Sequence, residues 1–376
     1  MTVREFAGVR RALATLVAVT SCVACTTHGS KQPPVAAESA DAGREQAQGS
    51  ATAAQPDAQT EAAQPCVEPE TGVPDDVFCT GLYKNRDATQ YESAPKPYTP
   101  GVLLWSDGAD KRRYLSLPPG TQIDTSDMDV WKFPVGTKVW KEFRFDGKLV
   151  ETRLLWKRGP SMWATGTYIW TSDQKSAPLN TSRQPVLLDT GYEIPTAKDC
   201  GRCHHGGADY LLGVEAVALG LPTAKGLTLT GLVESGALTD PPATTTIELP
   251  EDATGKAATA LGYLHANCGM PCHSSRGLGH DTELVMRLRA DEFWPTPQPV
   301  ANLDAYKATI NVSPTTKSVE QKFPDTHRIT PGNHEQSLVW LLSHLRGEYQ
   351  MPPIVSHKID EIGTKALGDW IDALPH

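Results

Sequence analysis

Between residues 98 and 192, hydrophobic and polar positions alternate in short runs rich in β-branched and aromatic residues, the period-two signature of strands. Val139, Lys141, Phe143 and Phe145 alternate with Trp140, Glu142 and Arg144. After Asp146-Gly147, the positions Val150, Thr152, Leu154 and Trp156 alternate with Glu151, Arg153 and Leu155. Asp-Gly between two such runs predicts a β-hairpin closed by a tight primed turn. Pro118-Pro119-Gly120 and Pro134-Val135-Gly136 mark further corners. Past residue 250 the period becomes helical. Ala257, Ala260, Leu261 and Leu264 form one stripe, and Leu338, Leu341, Leu342 and Leu345 a second. Ile359, Ile362, Ala366, Trp370, Ile371 and Leu374 form a third. The pattern predicts an α+β chain, with an N-terminal β-rich domain over residues 98–249 and a mainly helical domain over residues 250–376.

The front of the chain follows neither period. Arg4, Arg10 and Arg11 precede a short apolar run over residues 12–19, too short to span a bilayer but of signal-peptide length. Val19-Thr20-Ser21-Cys22 resembles the lipobox of bacterial lipoproteins, which makes Cys22 the expected lipidation site and residues 1–22 the signal segment. Cys25 is a second candidate, and an ordinary cleaved signal peptide is the alternative. Residues 23–65, rich in Ala, Gln, Ser, Pro and acidic residues, are expected to form a disordered tether, because so little apolar surface cannot offset the entropy of ordering. Residues 66–97 are an entry segment in which Cys66 and Cys79 are expected to form a disulfide, worth ~3 kcal/mol for so short a loop.

The net charge of −9 is spread along the 376 residues, without a long Lys/Arg run, so nucleic-acid binding has no support. Six of the nine tryptophans (Trp105, Trp131, Trp140, Trp156, Trp163 and Trp170) fall in the β-rich region. A ligand platform is one reading of them. The filling of a small sandwich core is the favoured one.

The chemistry lies in four further cysteines. Cys200-Gly201-Arg202-Cys203-His204 is a C-x-x-C-H run, whose thiols can add across the vinyl groups of a haem while the histidine ligates the iron. Cys268-Gly269-Met270-Pro271-Cys272-His273 repeats the pattern with one extra residue between the thiols. Two covalent haems are expected, with His204 and His273 as proximal metal ligands. A zinc site or two disulfides is the alternative. Met351-Pro352-Pro353 lies on a stiff loop between the last two helical stripes, so Met351 is the expected distal ligand of the haem carried by His273. For the first haem, His265, His280, His327, His334, His344 and His357 all remain candidates, whereas His205 adjoins the proximal residue too closely to reach the opposite face.

Longer stretches carry a resemblance. Leu103-Leu104-Trp105-Ser106-Asp107-Gly108-Ala109-Asp110-Lys111, Phe133-Pro134-Val135-Gly136-Thr137 and Ile194-Pro195-Thr196-Ala197-Lys198-Asp199-Cys200 belong to it. So do Tyr263-Leu264-His265-Ala266-Asn267-Cys268, Pro331-Gly332-Asn333 and Asp369-Trp370-Ile371. Together they resemble a family of bacterial dihaem c-type cytochromes, over roughly residues 98–374. The resemblance implies two haem c groups, a cytochrome c-like rear domain and electron transfer, without a defined substrate. The expectation is an electron carrier at the cell envelope, lipid-anchored and facing the periplasm or the cell surface, serving redox partner proteins. A dihaem enzyme with one open, peroxidase-like haem site is the alternative, and a haem-free zinc or disulfide protein a weaker one.

Overall fold

The computed structural model describes residues 65–376. Cys22, Cys25, the signal segment and nearly all of the expected tether lie outside the described residues.

A ribbon of β1 (Tyr83–Lys84) and β2 (Asp87–Tyr91) comes first. β3 (Lys96–Thr99), β4 (Asp110–Ser116), β5 (Lys138–Phe145), β6 (Lys148–Gly159) and β7 (Met162–Ile169) then pair antiparallel in succession. β8 (Val186–Leu187) pairs with β9 (Glu193–Ile194), and β10 (Lys225–Gly226) joins the β3 edge. The main sheet therefore runs β10-β3-β4-β5-β6-β7. The β5–β6 hairpin is closed as the sequence predicts: Phe145 pairs with Lys148, and Asp146 and Gly147 both take positive φ, 48° and 76°.

Both faces of this sheet are covered, by different partners. On one face Trp140, Leu154 and Trp156 pack against Val77, Phe78, Leu82 and Tyr83 of the entry segment. That segment is therefore a structural layer as well as a covalently closed loop, its Cys66 and Cys79 joined in a disulfide. Arg158 fastens it by bonding Glu68 Oε1 (3.0 Å) and the carbonyls of Pro69 and Glu70, with its guanidinium 3.9 Å from the Trp156 ring centroid. Trp131, Trp140, Trp156 and Trp170 are buried, in line with the core-filling reading of the tryptophans.

On the other face Leu115, Val139 and Leu155 meet the later part of the chain. Among the described residues eight α-helices follow β9, with β10 falling between the second and third: α1 (Ala197–His204), α2 (Ala216–Gly220), α3 (Leu229–Glu234), α4 (Ala257–Leu264), α5 (Asp304–Lys307), α6 (Lys317–Lys322), α7 (Leu338–His344) and α8 (Glu361–Ala373). A β-rich region with helices later in the chain is thus an α+β architecture. One hydrophobic core joins sheet residues such as Leu115 and Val139 to Leu219, Leu261, Leu367 and Trp370, so it crosses the expected boundary at residues 249/250 without a break. α8 departs in detail from its predicted stripe. Ile362 is 85% exposed, because the helix turns Gly363, Leu367, Trp370 and Ile371 inward. A side chain at Gly363 would strike the Tyr263 ring, which fixes how closely the chain approaches there. Among the described residues, no helix is long and apolar enough to cross a membrane.

Candidate functional site

Both cysteine motifs open on one cavity of about 460 Å³. The first motif lies on α1. Thr196 and Asp199 cap that helix reciprocally: the Asp199 N–H donates to Thr196 Oγ1 (3.3 Å), and the Thr196 N–H donates to Asp199 Oδ2 (3.2 Å). On a helix, positions three and four apart share a face, so Cys200, Cys203 and His204 project together. All three line the cavity. His204 is buried, and its Nδ1 lies 2.7 Å from the carbonyl oxygen of Tyr210. A carbonyl only accepts, so Nδ1 carries the proton and the lone pair remains on Nε2. Burial, with the Lys141 charge second, holds the His204 pKa well below its ordinary value, which keeps the ring neutral.

The second motif follows α4 through a π-helical turn at His265–Gly269. The His273 N–H reaches back five residues to the Cys268 carbonyl at 2.8 Å, and this wider turn takes up the extra residue between the thiols. Thr282 Oγ1 donates to the Gly279 carbonyl at 2.6 Å, so it accepts from His273 Nδ1, 3.5 Å away. Burial and the charge of Arg328 bring the His273 pKa down to about 4. Close approach is required at three glycines. A side chain at Gly269 would meet the backbone of Met286 and Arg287, and one at Gly279 would come within 2.7 Å of His273 Nδ1. One at Gly206, just after the first motif, would strike the carbonyls of Met270 and Pro271 inside the second. The two motifs are therefore in backbone contact. Their thiols also influence each other: the neighbouring Cys272 holds the Cys203 pKa below its ordinary value, and Cys203 raises that of Cys272. Burial pushes the Cys268 thiol up to about 12.

Met351 also lines the cavity, with its N–H donating to the Leu342 carbonyl (2.8 Å) at the end of α7. Of the histidines put forward for the first haem, His265 alone lines this cavity, and both of its ring nitrogens are engaged. Its Nδ1 accepts from the Leu288 N–H (3.0 Å), and its Nε2 lies 3.3 Å from Glu215 Oε1. His334 pairs with Asp372 (2.7 Å), His344 stacks on Trp340, His357 pairs with Glu193 (2.8 Å) and His280 with Asp281 (2.8 Å). These four and His327 are not part of the cavity wall, and neither is His205.

A strap over residues 103–107, inside the longest resembling stretch, ties the site together. Asn267, beside Cys268, accepts from the Trp105 N–H (2.7 Å) and donates to the Leu103 carbonyl (3.1 Å). Trp105 Nε1 bonds the Lys358 carbonyl (3.1 Å), and the buried Asp107 carboxylate accepts from the His357 N–H (2.7 Å). Strands β4, β5 and β6 also supply charge to the cavity wall through Lys111, Arg113, Lys141 and Arg153. One signal pointed to these residues: they occupy the same strand face as Leu115, Val139 and Leu155, where apolar side chains are expected.

The donor set fits a covalently held haem. Each motif offers two thiols and a neutral imidazole whose Nδ1 is tied off, and a porphyrin brings the iron's other four equatorial donors itself. Among the described residues, no three His, Cys, Asp or Glu side chains are arranged to hold a metal ion by themselves. No protein-family model, curated protein or solved structure matches the chain.

Proposed function

We propose that the chain is an exported c-type cytochrome that carries two covalent haems and passes single electrons between redox partner proteins at the cell envelope. The observation that carries this reading is the convergence of Cys200, Cys203 and His204, Cys268, Cys272 and His273, and Met351 on one cavity. Cys200 and Cys203 would hold one haem and Cys268 and Cys272 the other, each thiol S–H adding across a vinyl group. His204 and His273 would be the proximal ligands, and Met351 the distal ligand on the His273 side. Residues 250–376 would then act as the cytochrome c-like part. When bound, haem supplies a one-electron iron couple. The chain holds the imidazoles neutral, orients them through Tyr210 and Thr282, and surrounds the site with a mostly apolar wall. Acylated Cys22 would anchor the mature protein to the membrane through its acyl chains.

A second reading, a dihaem enzyme with an open first iron, is favoured by the engagement of both His265 nitrogens, which leaves no free imidazole on the cavity wall for that iron. Absorption spectra of the mature protein, oxidised and reduced, with haem counted per chain, test the proposal. Two haems per chain, neither binding cyanide or carbon monoxide, are the expected result. Two haems with one binding these ligands would move the function to the enzyme, and a count of zero would overturn both readings in favour of a haem-free zinc or disulfide protein. Cys22→Ala should release the protein from the membrane fraction with its haem content unchanged.

A further inference from the structure

Arg113 on β4, Lys141 on β5 and Arg153 on β6 are direct cross-strand partners, so three cations stand in one row across adjacent strands. Lys111 lies two residues along β4 on the same face, and all four line the cavity. Arg153 is balanced by Glu151 and bonds Tyr192 Oη (3.1 Å), and Lys111 donates to the Leu104 carbonyl (2.6 Å). Arg113 and Lys141, only 6% and 7% exposed, have no hydrogen-bond or ion-pair partner among the described residues. Like charges directly opposite each other destabilise a sheet, and a buried cation without a counter-charge is costlier still. Beyond the row the cavity wall is largely apolar, with Phe143, Leu284, Val339 and Leu342 among its residues. Burial, followed by the charges of Arg113 and Arg153, depresses the Lys141 ammonium to about 7, as expected where a counter-anion is missing.

We propose that this row is a seat for an oxyanion, the carboxylate of a ligand that fills the cavity or a free anion of the same chemistry. Two sources fit. On the dihaem reading above, on which this inference rests for its first source, the carboxylates are the haem's own. The other source is a free oxyanion drawn to an open iron. Neutralising Arg113 or Lys141 removes the anion's counter-charge in either case, and loss of Lys141 also removes a charge that lowers the pKa of Cys200 and Cys203.

The test uses full-length mature protein, with haem counted first and inorganic phosphate as the probe against chloride at equal ionic strength. The variants are Arg113→Gln and Lys141→Gln, with Lys141→Met in reserve should a glutamine variant fail to fold. If haem carboxylates occupy the seat, phosphate changes nothing. The variants then lower the potential of one haem and make it pH-dependent between about pH 5 and 8, as a carboxylate stripped of its cation begins to titrate. The other titratable groups facing the row are Glu151 and Tyr192, both held by Arg153, together with Tyr98, Cys200, Cys203 and His204. Matching pH dependence in the unaltered protein would assign the titration to them and overturn this arm. If a free anion is the ligand, phosphate raises the melting midpoint saturably in the unaltered protein, and the variants bind it at least tenfold more weakly. The idea is overturned if phosphate has no effect and the variants show no pH-dependent potential. A haem count of zero would sink the cofactor reading alone, and the phosphate arm would still decide the seat on the haem-free chain.

Discussion

In the first motif the thiols stand three residues apart on one face of a capped α-helix; in the second they stand four apart, astride a widened turn. Both arrangements bring two thiols and a neutral imidazole, buried at His204 and half-buried at His273, to the same cavity. The difference teaches that the spacing of a motif constrains geometry only through the backbone that carries it. An extra residue is absorbed when the hydrogen bond that closes the turn spans five residues instead of four. The wider turn has a steric cost: Gly269 and Gly279 lie where no side chain fits, whereas Gly201 in the first motif has nothing closer than 3.5 Å.

Deleting the thiols tests this equivalence most severely. Cys200→Ala with Cys203→Ala should reduce the haem count from two to one, and Cys268→Ala with Cys272→Ala should do the same. An unchanged count after the second pair is removed would mean that the widened turn brings the thiols together without attaching a cofactor, and the two motifs would not be equivalent. Met351→Ala should act on one side only. Loss of the thioether should lower the potential of the haem carried by His273 and open that iron to added imidazole, with the other haem unaffected. A redox titration that finds both potentials unmoved would remove Met351 from the iron.

The glycines separate the motifs by sign. Gly201→Ala lies in a helix with room for a methyl group and should stabilise the protein by about 0.5–1 kcal/mol. Gly269→Ala must push against the backbone of Met286 and Arg287 and should destabilise it by about 1–3 kcal/mol. Urea unfolding of the two variants measures both, and shifts of the same sign would show that the second turn relaxes as easily as the first helix.

The sequence carried the parts of this comparison that are local. Asp146-Gly147 signals its own turn, and the stripe from Ile359 to Leu374 signals its own helix. What it did not carry depends on residues far apart in the chain. Trp105 meets Asn267 and Lys358 through single hydrogen bonds that leave no periodic trace. The entry segment read as loop-like because of its Pro/Asp-rich composition. Val77, Phe78, Leu82 and Tyr83 become a core only when Trp140 and Trp156 cover them. The cationic row was visible as charge on an inward strand face, but strand alternation alone does not say which face looks into a cavity. The irregularity of the second motif was legible in its spacing. The turn that resolves it was not, since a π-helical turn has no residue signature of its own.

The smallest effect concerns the helix that carries the first motif. Thr196 is largely buried, and its hydroxyl and backbone N–H both engage Asp199, so α1 begins from two reciprocal bonds. Thr196→Ala removes the hydroxyl and keeps the backbone, which should cost about 1 kcal/mol. The second motif has no such reciprocal cap, because its turn continues directly from α4, whose N-cap Lys256 makes no side-chain bond and whose first turn is held only by Glu251 accepting from the Ala258 N–H (3.3 Å). The loss should therefore appear as faster amide hydrogen exchange within α1, with exchange in α4 unchanged. Equal acceleration in both helices would show that the backbone contact at Gly206 and Pro271 couples the two motifs into one unfolding unit.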